Sequence, residues 1–163
     1  MRSHRWIRRA LYTVAILAIA LASMPAIVTA QGGKKNGQQK GASLTWGPAP
    51  AVLPPGAKMA IEKGDPTKPG EFSVRFMLPD GYKIPPHFHP TDEHVRVRSG
   101  TFLAGMGDKL DPAAAKVLAP GDTIMMPAKM HHWAIAKGET IVSVSGPGPF
   151  AITYVNPADA PKP

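Results

Sequence analysis

The chain has 163 residues, enough for one domain. It contains no cysteine, which excludes thiolate metal sites, iron–sulfur clusters, disulfides and cysteine nucleophiles. The formal charge of +8 suggests a polyanionic partner, but four of the 19 basic residues lie in the first nine positions; 15 basic against 11 acidic residues remain beyond residue 30, about +4, too mild to argue for nucleic acid.

Residues 1–9 carry Arg2, Arg5, Arg8 and Arg9 and no acid. Ala10 to Ala22 is uncharged and apolar, and small Ala30 precedes Gln31 as a processing site. Basic region, short apolar core and small-residue site read together as a secretory signal peptide over residues 1–30. An uncleaved anchor is the rival reading, because Ala10 to Ala30 is about long enough to span a bilayer. Cleavage leaves no stable membrane association and places the protein in the periplasm or outside the cell. Residues 31–43, with Lys34, Lys35 and Lys40 among glycines and glutamines, have almost nothing to bury and are expected to be a disordered linker.

Residues 44–157 are expected to form the folded domain. Prolines 48, 50, 54, 55, 66 and 69 argue against helix and against central strands in its first part. Leu44 to Trp46 and Met59 to Glu62 can be short edge strands, with Trp46 capping one end. Glu71 to Leu78 alternates Phe72, Val74, Phe76 and Leu78 against Ser73, Arg75 and Met77, the period of a half-buried strand. Further strands are expected at Thr101–Ala104, Thr123–Met126, Trp133–Ala136, Thr140–Ser145 and Phe150–Val155, separated by Gly/Pro turns. Asp111 with Pro112 suits the start of one helical turn. Residues 158–163 are a flexible tail. Many short strands and almost no helical periodicity indicate an all-β sandwich or barrel.

The chemistry concentrates in residues 81–100. His87 and His89 are two apart, so on a strand both imidazoles project to one side. Glu93 keeps that parity, and Val95 and Val97 share it, while His94, Arg96 and Arg98 take the opposite face. Two imidazoles and a carboxylate converging inside a β-structure suit a divalent metal. The spacing runs Gly81, five residues, His87, one, His89, three, Glu93, six, Gly100. A second run has Gly121, five residues, Pro127, one, Lys129, two, His132, three, Ala136.

The first run resembles the first conserved motif of the cupin superfamily at every fixed position. The second is similar to the other cupin motif at Gly121, Pro127 and His132, with Lys129 where the family usually has glycine and Ala136 where asparagine is common. The resemblance covers roughly residues 70–155. It implies a single-domain double-stranded β-helix, a jelly-roll barrel. It also implies His87, His89, Glu93 and His132 as ligands of one divalent transition metal ion: Fe, Mn, Zn, Cu or Ni. His131 is the rival to His132, because a slip of one residue exchanges faces.

Phe88 should face away from the metal, and Ala134 and Ala136 should leave room beside it. Met77, Met106, Met125 and Met126 are expected in the core or lining the pocket. Arg75 and Lys83 can reach a pocket mouth and hold an anionic substrate. Three readings follow: a metal-dependent oxygenase or related oxidoreductase acting on a small molecule, a non-catalytic protein binding a metal or small ligand, or an empty structural barrel. Small domains of this size often pair to bury more surface, so a homodimer is an open expectation.

Overall fold

The structure, a computed structural model, describes residues 43–162. The signal segment expected over residues 1–30 and all but the last residue of the expected linker lie outside the described residues. No helix among the described residues is long and apolar enough to cross a membrane.

Among the described residues nine strands and two 3₁₀ turns follow one another: β1 (Gly47–Pro48), β2 (Lys58–Lys63), β3 (Gly70–Leu78), β4 (Lys83–Phe88), β5 (Glu93–Met106), the first turn (Pro112–Ala114), β6 (Lys116–Leu118), β7 (Thr123–Met126), β8 (His132–Gly148), β9 (Thr153–Tyr154) and the second turn (Pro157–Asp159). The first turn is capped as its sequence implies: the Asp111 side chain accepts from the Ala113 amide, and Pro112 occupies the opening position.

Two long strands organise the rest. β5 and β8 form one antiparallel ladder from His94↔Ser145 to Met106↔His132. Gly100 and Gly138, which lie between strands expected to be separated by turns, are instead points where this ladder slips and bends. The register passes from Val97↔Val142 to Ser99↔Ile141 and then to Thr101↔Lys137. Gly100 and Gly138 take the left-handed conformation there, at φ 79° and 73°. A β-carbon on Gly100 would lie 2.4 Å from the Glu139 carbonyl oxygen, so the two strands pass too closely for any side chain. The separate strands expected at Thr101 and Trp133 are thus continuations of β5 and β8.

Beyond the bend the ladder joins different neighbours. One half of β8 pairs with β3, and β3 with β2 and β2 with β1, while the first residues of β5 pair with β7. The other half of β8 pairs with β4, and β4 with β9, while the end of β5 pairs with β6. All of these ladders are antiparallel. Two sheets sharing two bent strands make the jelly roll. Val74, Phe76, Val95, Val97, Val142 and Val144 face inward from the first, and Phe102, Ala104, Ala134 and Ala136 from the second, in one core cluster. Each large side chain there contributes roughly 1.5–3 kcal/mol of apolar burial.

Leu53, not Trp46, joins that core from the proline-rich segment. Its loop is held by two tyrosine hydroxyls: Tyr154 donates to the Val52 carbonyl at 2.8 Å, and Tyr82 donates to the Pro54 carbonyl. Burial raises the pKa of both phenols, that of Tyr154 to about 12, so both keep their donor protons. Of the methionines expected inside, Met126 is buried, whereas Met106 and Met125 are 48% and 47% exposed. Met125 stands on the outward parity of β7, opposite His94, whereas Met106 keeps the parity of buried Phe102 and Ala104 but is the last residue of β5, beyond the core.

On the outer side, Gly105 pairs with Trp133, and a β-carbon on Gly105 would lie 2.0 Å from the indole ring. Trp133 is 1% exposed and has little room to move. Gly105→Ala should therefore cost about 2 kcal/mol or more, read as a lower urea midpoint at constant slope. An unchanged midpoint would mean that the ring moves aside freely.

Candidate metal centre

The centre is assembled where β4 ends and where β5 and β8 begin. Pro85 and Pro86 sit in β4 just before His87, and Pro85 Cα lies at a break in the β4–β8 register. The free Pro85 carbonyl accepts from His87 Nδ1 at 2.7 Å. His89, just past β4, donates from Nδ1 to the Ala151 carbonyl at 2.7 Å, and His132, the first residue of β8, donates from Nδ1 to the Met130 carbonyl at 2.9 Å. A carbonyl only accepts, so each Nδ1 carries the proton. In the neutral ring the lone pair is then on Nε2.

The three histidines each offer a ligand atom, and these atoms all lie within 4.8 Å of one another. The rings of His87 and His132 approach to 4.3 Å between centroids; those of His87 and His89, and of His89 and His132, to 5.1 and 5.2 Å. All three residues are buried. Among the described residues, the Nε2 atoms of His89 and His132 have no hydrogen-bond partner. A buried acceptor left unpaired costs about 1–3 kcal/mol, and a metal ion would use each lone pair. The residues present therefore fit such an ion.

Burial, then the neighbouring His132, drives the His87 pKa down to about 3, so its ring stays neutral. Glu93 lies 3.4 Å from His89 Nε2 and 3.7 Å from His132 Nε2. Burial pushes its carboxyl up, but the facing imidazoles, His132 first, hold it below the ordinary carboxylate range. An anionic oxygen beside two imidazole nitrogens completes a donor set of the kind a divalent transition metal takes.

His132, not His131, enters this group. His131 turns outward, where its Nδ1 lies 2.6 Å from Asp108 and its ring stacks on Phe88 at 5.2 Å. Phe88 thus faces away from the centre. His94 is exposed on the outer face. Lys129, at the position where glycine is usual, keeps the left-handed conformation at φ 62°, and its amide donates to the His89 carbonyl at 2.8 Å. The Asp92 carboxylate accepts from the Ala128 amide at 2.7 Å, so the two motif turns hold each other.

Behind the imidazoles is a cavity of about 30 Å³, room for one or two waters. Its other walls are apolar, with Leu53, Phe76, Phe102, Met126 and Phe150 among them. Neither Arg75 nor Lys83 lines it. Arg75 instead points to the outer face, where its Nε donates to Glu62 at 2.6 Å, because it takes the parity opposite to buried Val74 and Phe76. Leu53 lies in a proline-rich loop with no period that predicts burial, and the strand expected at Phe150–Val155 is confined to Thr153–Tyr154, so Phe150 precedes it.

Residues 74–145 match the profile of the cupin domain. Among solved structures, the chain is similar to a protein from Methylibium petroleiphilum PM1 provisionally named an acetylacetone dioxygenase (18% identity, 74% of this chain and 81% of that one, TM-score 0.55). It is also similar to the polyketide cyclase RemF from Streptomyces resistomycificus (18%, 64% and 75%, 0.53), and to an RmlC-like cupin from Shewanella frigidimarina NCIMB 400 (16%, 64% and 84%, 0.51). At these identities what is shared is the fold. No curated protein matches the chain. Residues 74–145 thus match a cupin domain, and these neighbours share its fold.

Two expectations follow. Lys129→Gly should stabilise the protein by about 1 kcal/mol, since glycine meets φ 62° without a β-carbon clash; a lower melting temperature would contradict this. In metal-free protein, His87 takes up its proton near pH 6.5 when unfolded and only near pH 3 when folded. The unfolded state binds more protons across that window, so stability falls as pH drops through it, by at most about 1.4 kcal/mol per unit. Glu93, depressed below 4.5 in the fold, adds its own loss below that value. Urea midpoints should decline from about pH 6 downward, and less steeply in His87→Phe; a flat profile from pH 7 to 4 would contradict it.

Proposed function

We propose that this cupin domain is exported to the periplasm or cell exterior and binds one divalent transition metal through His87, His89, Glu93 and His132. There it acts as a metal-dependent oxygenase or related oxidoreductase on a small molecule. One observation carries the reading: three buried imidazoles give every Nδ1 proton to a main-chain carbonyl, and their Nε2 lone pairs converge beside a carboxylate. Three imidazoles and one carboxylate leave coordination positions open, and a bound ion would supply Lewis-acid or redox chemistry there. The protein's part is to orient the rings, exclude water behind Leu53 and Phe150, and admit a small substrate with an apolar body.

A second reading, a metal- or ligand-binding protein without catalysis, has its own support. Among the described residues the cavity wall has no titratable side chain beyond these four, so none of them offers a separate general acid or base to a substrate.

Elemental analysis of protein purified without chelator, beside His132→Ala, tests the metal site. About one equivalent in the parent and less than about a tenth of that in the variant is expected, because a lost ligand also leaves Glu93 partly unpaired. No metal in either folded protein would sink the proposal. Oxygen uptake by the iron- or manganese-loaded protein across a panel of small ketones, enols and alcohols separates the readings; binding without turnover favours the second.

A further inference from the structure

The outer face of the first sheet carries a second arrangement. Across β3, β8, β5 and β7 the registers place Ser73 opposite Ser145, Ser145 opposite His94 and His94 opposite Met125 in one row. The next row runs Arg75, Ser143, Arg96 and Thr123. In these two rows the central strand β8 presents serines outward, while its neighbours present Arg75, His94 and Arg96. Small residues in the middle and large ones beside them make a trough, here an open groove of about 390 Å³. With strands about 4.8 Å apart, the four strands span roughly 14 Å.

The groove is single-signed. Its lining includes His94, Arg96, Arg98 and the hydroxyls of Ser73, Ser145 and Thr123, with no carboxylate. The nearby acid is Glu62, and it is already engaged: it accepts from Ser73 at 2.8 Å and from Arg75 Nε at 2.6 Å. Arg98 is anchored through Nε, which donates to Ser143 Oγ at 2.7 Å, and its Nη2 is 3.9 Å from Glu62. Anchoring a guanidinium by Nε fixes its plane and leaves Nη donors for a second partner. Arg96 forms no salt bridge among the described residues. A sheet face built only to meet water mixes both signs; this one gathers donors around a trough.

We propose that this groove binds a compact oxyanion with two or more negative charges, a phosphate or a dicarboxylate, through Arg96, Arg98 and the hydroxyls of Ser145 and Thr123. The site lies on the face opposite to the imidazole cluster and does not depend on it. Two charged oxygens match two guanidinium groups, and the hydroxyls supply the remaining donors.

Isothermal titration of the purified protein at low salt, with inorganic phosphate and with succinate, tests this. Binding of at least one anion is expected, weakened about tenfold or more in Arg96→Gln and in Arg98→Lys, and nearly unchanged in Lys116→Gln on the other sheet. Stronger binding of phosphate identifies a phosphoryl ligand, and stronger binding of succinate a dicarboxylate; either supports the site. Arg96 is exposed and forms no salt bridge among the described residues, so its variant should keep the parent's urea midpoint. Binding of neither anion overturns the proposal. So does an equal loss in Lys116→Gln, which means general charge attraction, or a loss on removing metal with chelator, which assigns the anion to the imidazole centre. A dimer in sedimentation velocity that Arg96→Gln dissociates also overturns it, because the face is then a subunit contact.

Discussion

The ladder between β5 and β8 is the constraint on which the molecule depends. Among the described residues it is the only pairing that runs through both sheets, and its bend at Gly100 and Gly138 turns one ribbon into two facing layers. Because β5 begins with Glu93 and β8 begins with His132, the same ladder delivers two of the four candidate ligands. β4 then pairs His87 with His132 directly, so a carboxylate and two imidazoles are held by backbone hydrogen bonds before any side-chain contact is counted. A change that shifts this ladder by one residue would exchange every inward and outward side chain together.

Around the imidazoles the main chain does the orienting. Three carbonyls, of Pro85, Met130 and Ala151, take the three Nδ1 protons, and two of them belong to the residue two positions before the histidine. That local geometry makes the tautomer a property of the backbone. The apolar wall behind the rings works in the same direction, since burial disfavours the imidazolium of His87 and keeps a lone pair available. Glu93 supplies the negative charge that makes a cation welcome there. Satisfied Nδ1 groups and unsatisfied Nε2 groups on the same rings are the clearest sign that the cluster is arranged for something besides stability.

The two faces of the first sheet use one alternation for opposite purposes. Val95 and Val97 fill the interior, while His94, Arg96 and Arg98 stand outside on the same strand. Serines on β8 keep the outer surface low between cationic neighbours, just as valines on its other face fill the core. A buried imidazole centre and an open cationic groove thus stand back to back across one layer of backbone.

Much of this was legible in the residues. The inward parity of His87, His89 and Glu93, the outward parity of His94 and Phe88, and the alternation of β3 are consequences of a two-residue period, which needs only local sequence. The Gly and His spacing also carried the resemblance to cupins, and with it the jelly roll. Other features were not legible, for reasons equally physical. Gly100 and Gly138 announce positive φ but not whether the chain turns back or bulges and continues; the partner strand decides that. Arg75 is placed outside by its parity, but the carboxylate that holds it comes from β2, thirteen residues away. Leu53 enters the core from a loop without periodicity, because two distant tyrosine hydroxyls hold that loop across the barrel. The sequence alone determined which residues share a face within an unbroken stretch of strand, since alternation is set within a few bonds. Only the tertiary structure decided which residues meet across strands, since pairing, bulges and loop closure depend on contacts far apart along the chain.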